Sequence, residues 1–282
     1  MKILHDITTL RAWRARQTGI VFVPTMGNLH AGHLSLMQQA KQTQLPVLAS
    51  IFVNPLQFGA GEDFSRYPRT LDADLTQLKQ AGVDAVFVPE AHDVYPEPQT
   101  CFIELPDLAQ QLCGEFRPGH FHGMATVVMK LLQMAQPTHA IFGKKDYQQL
   151  AIIRLMCQQF CLPVTIMAGE TMRADDGLAL SSRNQYLAPH ERDKAPQLYA
   201  ELNRIKNQLQ SGNKHYTLLE QTALNNLAQS GWQTEYISIR DATLTRPKPD
   251  SAHLVILAAA RIGNTRLIDN VEASLTTGPH IQ

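Results

Sequence analysis

Cysteine is scarce in this 282-residue chain: Cys101, Cys113, Cys157 and Cys161 are all there are, and no two form a CxxC pair. Such spacing argues against a disulfide framework or a cysteine-held metal, and the thiols read as buried and reduced, with Cys157 and Cys161 one helical turn apart in an apolar periodic stretch. Charge of one sign is lacking too, because 25 Lys and Arg balance 25 Asp and Glu. No global field then draws the chain to nucleic acid, and any anion site must be local. Long hydrophobic runs are missing: nothing reaches the ~18 residues of a membrane span, and the polar, basic N-terminus MKILHDITTLRAWRARQ has no apolar leader core. Together these absences predict a soluble cytoplasmic protein with no membrane or nucleic-acid partner. Without internal repeats or low-complexity tracts, solenoids are excluded. What is present, 44% apolar and 18% charged residues, suffices for a sizeable core.

Short β-branched runs alternate with amphipathic stretches through the first half. Strands are predicted at Ile20 to Pro24, Val47 to Val53, Asp84 to Val88, His139 to Phe142 and Val164 to Met167. Helices fall between them at Ala31 to Thr43, Leu71 to Ala81, Gly123 to Ala135 and Tyr147 to Phe160. Successive βαβ units of this kind build a Rossmann-like, doubly wound parallel sheet. After about Gly169 the pattern changes to a loop, a polar helix-rich stretch from Pro189 to Ser230, and strand candidates Thr234 to Ile239, Leu254 to Ala258 and Arg266 to Ile268. The expected division is a sheet domain over 1–174 and a smaller α+β domain over 175–282.

Two segments invite chemistry. The first strand runs through Pro24, Thr25, Met26, Gly27, Asn28, Leu29, His30, Ala31, Gly32 and His33 directly into a helix. Free N–H groups and the positive dipole end favour phosphate there, and Gly27 and Gly32 allow close backbone approach. Taken alone, HxGH is as readily a plain strand-to-helix turn. A zinc site with His120 and His122 is a rival reading, although no cysteine or carboxylate accompanies those histidines at ligand spacing. The other segment is Leu178 to Asn184, where Ser181, Ser182 and Arg183 offer two hydroxyls and a guanidinium suited to phosphate oxygens. By itself SSRN is an ordinary solvated loop; behind an HxGH strand-turn it takes the place of the mobile KMSKS-like loop of nucleotidyl-transferring enzymes.

PTMGNLHAGH, SIFVNPLQF, YPRT, FRPGHFHG, FGKKDYQQL and GLALSSRN follow one another from Pro24 to Asn184, with RLIDN later at Arg266 to Asn270. This series resembles the pantoate-beta-alanine ligase family. The resemblance implies a Rossmann-like domain of the HxGH nucleotidyltransferase type with a smaller C-terminal lid, a homodimer, ATP as substrate, a requirement for Mg2+ through ligands the motifs do not name, and no tightly bound organic cofactor.

Residue by residue, it implies that Met26, Gly27, Asn28, Leu29, His30, Ala31, Gly32 and His33 contact ATP. His33 is then the general acid, with His30 beside it on the phosphates. It assigns Gly143, Lys144, Lys145 and Asp146 to ATP as well, with Lys145 meeting the developing phosphate charge and Lys144 the more solvated of the pair. Met172 would touch the nucleoside through its backbone, while Leu180, Ser181, Ser182 and Arg183 close over the triphosphate, Arg183 with a catalytic share. Gln57 and Gln149 hold pantoate, Asn54 shapes that pocket, and Gln57 also serves beta-alanine. Tyr67, Arg69 and Arg117 line the pocket or order its loops, and His122 receives no role. The implied reaction condenses (R)-pantoate with beta-alanine through a pantoyl adenylate, releasing pyrophosphate and AMP. Its rivals are another HxGH nucleotidyltransferase, against which the two glutamines argue, and a non-catalytic nucleotide-binding regulator, since fold alone does not prove turnover.

Overall fold

The computed structural model describes residues 1–275. The chain divides into two compact units, one of Met1–Lys144 with Gln149–Met172 and the other of Lys145–Gln148 with Arg173–Gln282.

In the first unit the order is β1 (Lys2–Leu4), α1 (Ile7–Arg14), β2 (Val21–Thr25), α2 (Ala31–Gln42), β3 (Val47–Ile51), α3 (Leu71–Gln80) and β4 (Ala85–Phe87). It continues with α4 (Ala91–Val94), α5 (Cys113–Phe116), α6 (His120–Ala135), β5 (His139–Gly143), α7 (Tyr147–Gln159) and β6 (Thr165–Gly169). The six strands form one parallel sheet in the order β1-β4-β3-β2-β5-β6, the doubly wound arrangement that the alternation predicts. Side chains alternate faces along a strand, and here both faces are apolar. Phe22, Leu48, Phe87 and Phe142 join a core with residues of α1, α6 and α7. Their neighbours Val21, Val23, Val47, Val86 and Ile141 join a second core with Leu36, Met37 and Leu78 from α2 and α3. That two-sided burial is why the strands read as continuous hydrophobic runs.

The first fourteen residues, read above only for the lack of a leader, form β1 and α1. Asp6 caps α1 by accepting from the Thr9 amide at 2.8 Å, and Leu10 and Trp13 face inward. The thiols depart from expectation. Cys113 and Cys157 are buried, but Cys101 and Cys161 are exposed. The helical period that paired Cys157 with Cys161 stops at Gln159, and Cys161 turns out of the helix with φ +52°. Burial pushes the Cys157 thiol pKa up to about 11, which keeps it inert.

The second unit continues with α8 (Pro189–Lys194), α9 (Gln197–Gln210), α10 (Tyr216–Gln229), β7 (Gln233–Asp241), β8 (His253–Ile262) and β9 (Thr265–Ser274). Its strands pair antiparallel in the order β7-β8-β9. Helix α9 packs on β8 and β9, and α10 on β7, around a core that includes Leu198, Leu202, Ile239 and Ile256. Glu235 on β7 and Arg266 on β9 reach across β8 to pair at 2.7 Å.

Candidate active site

In the first unit β2 lies between β3 and β5, so the sheet's order reverses beside it. Crevices at the carboxyl ends of strands at such a reversal are the usual ligand position in open α/β sheets. The HxGH segment leaves β2 there, and Gly143 ends the neighbouring β5.

The turn after β2 is built in two steps. Gly27 and Asn28 both take left-handed backbone, φ +79° and +50°, a conformation that glycine and asparagine tolerate best. A Cβ on Gly27 would meet Asp74 Oδ2 and Ile51 Cγ2 at 3.0 Å. Asp74, on the first turn of α3 and 1% exposed, accepts from the Asn28 amide at 2.9 Å, the Leu29 amide at 2.8 Å and the Thr70 hydroxyl at 3.2 Å. These two loop amides therefore point into the protein at a carboxylate.

His30 is then the N-cap of α2, and with His33 it forms a reciprocal capping box. The Gly32 amide donates to His30 Nδ1 at 3.1 Å, and the His30 amide donates to His33 Nδ1 at 3.3 Å. Spacing of three is what such a box requires. The turn reading of HxGH thus accounts for the spacing: each ring uses Nδ1 as an acceptor, which places its proton on Nε2. The two rings lie 4.1 Å apart at the dipole's positive end.

A second cluster surrounds Gln57, in the 3-10 turn Pro55–Gln57 that follows β3. Asn54, 1% exposed, donates from Nδ2 to Gln57 Oε1 at 3.0 Å and to the Gly123 carbonyl at 3.1 Å. Its Oδ1 accepts from the Leu56 amide at 3.3 Å and the Tyr95 hydroxyl at 2.8 Å. Both donor hydrogens are in use, so Asn54 acts on the pocket by aiming Gln57. With its oxygen held, Gln57 turns Nε2 outward, 3.2 Å from Met26 Sδ, which brings two of the sequence motifs together. Burial pushes the Tyr95 phenol pKa up, holding it as a neutral donor, and Lys130 Nζ sits 4.7 Å from its ring centroid. Desolvation lowers the Lys130 pKa.

The FRPGHFHG segment braces the same turn from behind. His120 Nδ1 lies 2.8 Å from the Gln57 carbonyl oxygen, and Arg117, paired with Glu62 at 2.6 Å, donates to that oxygen at 3.4 Å. Gly123 sits where α6 presses on the turn: a Cβ there would fall 1.9 Å from the Leu56 carbonyl oxygen. Tyr67 is buried with its ring edge to Phe58, and Arg69 lies 5.5 Å from the Phe64 ring centroid. The zinc alternative does not form: His120 is engaged as above, and among the described residues no group of three or more His, Cys, Asp or Glu is placed to hold a metal.

Gln149 and Met172 also belong to the first unit, Gln149 half-buried and Met172 exposed. Lys144 pairs with Glu170 at 2.6 Å. Lys145 and Asp146 belong to the second unit, as do Leu180, Ser181, Ser182 and Arg183. Within that unit the Asn270 side chain donates to the Lys145 carbonyl at 2.9 Å. Ser181 caps the 3-10 turn Ser182–Tyr186, accepting from the Arg183 amide at 3.3 Å.

Sequence reasoning missed Asp74, Tyr95, Asn270 and the bracing role of His120. Their partners lie far along the chain, and the local signals were the FRPGHFHG run and, for Asn270, the RLIDN segment that it ends.

A family model described as Pantoate-beta-alanine ligase matches residues 2–272. The pantothenate synthetase of Thiobacillus denitrificans is 51% identical over 280 residues, 99% of each chain. That of Neisseria meningitidis serogroup C is 51% identical over 277 residues, covering 98% of this chain and all of the relative. Among solved structures, the pantothenate synthetase of Thermus thermophilus superposes with a TM-score of 0.91 at 40% identity, over 96% of this chain and 99% of that one. The pantoate-beta-alanine ligase of Francisella tularensis, complexed with beta-gamma ATP and beta-alanine, gives 0.81 at 36% identity, over 96% and 97%.

Proposed function

The chain belongs to the pantoate-beta-alanine ligase family, and from that premise we propose how its own residues carry the family's reaction, the ATP-dependent joining of pantoate to beta-alanine. The paired imidazoles at the start of α2 are the observation that carries the assignment. A carboxylate oxygen of (R)-pantoate attacks the α-phosphorus of ATP, the bond to the bridging oxygen breaks, and pyrophosphate leaves. Negative charge grows on that leaving group. His33 and His30 present Nε2–H donors to it and stabilise that charge by hydrogen bonding, His33 as the donor to the departing oxygen. The amine of beta-alanine then attacks the acyl carbon of the adenylate, losing a proton as the amide forms and AMP departs.

Gln57 suits the acid because its aimed Nε2 meets a weak thioether acceptor, Met26 Sδ, which a carboxylate or hydroxyl oxygen would replace. It serves pantoate and then beta-alanine; Gln149 adds a second amide for pantoate. Lys145 and Arg183 supply cationic donors to the phosphates, and backbone of Met26–His33, Gly143–Asp146, Met172 and Leu180–Ser182 completes nucleotide contact. The second unit serves as a lid that excludes water from the hydrolysable adenylate.

Mg2+ fits as the triphosphate's counter-ion, since its sites commonly combine one or two carboxylates with substrate phosphates. Asp146, an exposed carboxylate inside an ATP-contacting segment, is the group that would share it. Bound there, the metal would neutralise phosphate charge. We also propose a cytoplasmic homodimer; among the described residues no helix is long and apolar enough to cross a membrane. The deciding experiment is isotope exchange between pyrophosphate and ATP. It is expected with pantoate present and beta-alanine absent, and a strict need for beta-alanine would overturn the two-step scheme.

A further inference from the structure

The second unit holds a buried polar network that the reaction as described does not use. Asp269 and Asn270, on β9, are both buried although strand β9 runs through an apolar core. Arg173 meets the Asp269 carboxylate with both terminal nitrogens, at 2.6 and 2.8 Å, in the two-pronged geometry that fixes direction as well as distance. The same guanidinium donates to the Asn270 carbonyl at 3.2 Å and the Gly177 carbonyl at 3.0 Å, and lies 3.6 Å from the Tyr199 ring centroid. Asp269 Oδ1 also accepts the Asn270 amide at 2.7 Å. Asn270 is thereby held at its own backbone N–H and C=O. From that fixed base its Nδ2 donates to the Lys145 carbonyl at 2.9 Å, across 125 residues of sequence.

A hydrogen bond to a backbone carbonyl sets the plane of the peptide that follows it. Holding the carbonyl of the 145–146 peptide restrains ψ of Lys145, and so narrows the directions in which its side chain can leave the backbone. Arg173 further ties this strand to the hairpin closed by the Arg173–Ala179 bridge and the Gly177 turn, φ +93°, which leads into Ser181.

We infer that Asn270 is a positioning residue for Lys145: the Arg173–Asp269 pair anchors it, and its amide aims the lysine at the charge that develops in adenylation. This inference rests on the proposed role of Lys145. It separates the work of the pair, which anchors, from that of Asn270, whose side chain reaches the lysine's backbone.

The test places Asn270→Ala in the parent and in Lys145→Ala, with pantoate-dependent pyrophosphate exchange and hydrogen–deuterium exchange of peptides covering 144–150 as readouts. In the parent background the exchange rate constant should fall on the order of tenfold, with the KM values for pantoate and ATP within about twofold, because an aimed charge matters in the transition state. In Lys145→Ala the same change should cost less than about twofold, since residues acting through one another are not additive. Hydrogen exchange should rise in 144–150. An equal loss in both backgrounds, no loss in the parent, or unchanged hydrogen exchange in 144–150 overturns the inference. Should Asn270→Ala unfold, the isosteric Asn270→Asp, which sets a carboxylate oxygen against the Lys145 carbonyl, must show the same background dependence. A parent that performs no pantoate-dependent exchange, while 144–150 still loosens in the variant, refutes the functional reading and leaves the positioning contact standing.

Discussion

Asp74 shows how one side chain decides what a phosphate-binding turn can offer. In a bare strand-to-helix turn the Asn28 and Leu29 amides would be available to a ligand; here both donate to a carboxylate that is 1% exposed. The consequence is a turn whose Asn28 and Leu29 amides are used inside the protein, so that the proposed phosphate contacts fall to the imidazole Nε2 atoms. Asp74→Asn keeps the volume but replaces one acceptor by an NH2, so that a buried backbone N–H faces another donor. Leaving such a group unmade costs about 1–3 kcal/mol, and the turn would relieve it by rotating away. We expect a loss of that size in denaturant unfolding and a KM for ATP raised severalfold, with the KM for pantoate near the parent's. An unchanged KM for ATP would show that the turn keeps its shape without the carboxylate. Little in YPRTLDAD marks Asp74 over Asp72 as the buried one, because beyond Thr70 the two amides it accepts from lie 45 and 46 residues upstream. His30 and His33 differ from Asp74 in that their capping contacts are local, three residues apart, and their spacing reads as a strand-to-helix turn.

Helix α6 shows a packing requirement overriding helix propensity. Gly123 lies in its second turn, where alanine would favour an isolated helix by about 1 kcal/mol. The added Cβ, however, would fall 1.9 Å from the Leu56 carbonyl oxygen, 2.3 Å from its carbon and 2.8 Å from the Gln57 amide nitrogen. These are backbone atoms and cannot swing aside, so α6 or the 55–57 turn must move. Overpacking of this kind typically costs about 1–3 kcal/mol, more than propensity returns. Gly123→Ala should therefore destabilise the protein and, by shifting Gln57, weaken pantoate at least tenfold in a calorimetric titration while ATP binds nearly as before. A more stable variant with parental pantoate affinity would contradict this packing account. Elements built on one period were readable to within a few residues, as for β2, α2, β5 and α7. Readings failed where side chains broke the period for a tertiary reason. The Arg266 to Ile268 candidate grew into the ten-residue β9, because Asp269 and Asn270 look like a strand end until Arg173 and Lys145 are seen to satisfy them. Likewise the start of α6 at His120 was hidden by Arg-Pro-Gly, which reads as a turn although Gly119, φ +81°, is its N-cap.

At the scale of the whole chain, the cores are separately assembled. Among the described residues, those around the parallel sheet form two clusters, one on each face, and those around β7–β9 form another. Cooperative opening follows contiguous packing, so the two cores that share the parallel strands should define one protected block in native-state hydrogen exchange and the β7–β9 core another. Ile256 is wholly buried at the middle of β8. Truncating such a side chain to alanine removes buried methyl and methylene groups and leaves a cavity, together costing about 2–5 kcal/mol. That energy is lost by the block that contains the cavity. Ile256→Ala should accelerate exchange of amides in β7, β8 and β9 by about thirtyfold or more, the factor to which 2 kcal/mol corresponds. Amides of β2 and β5, around Val23 and Ile141, should keep parental protection. Because Asn270 lies on β9, the 144–150 peptides are expected to accelerate with the second unit, even though β5, from which that segment leaves, stays protected. If β2 and β5 accelerate equally, the chain opens as one block, and packing within each core does not set the unit of unfolding.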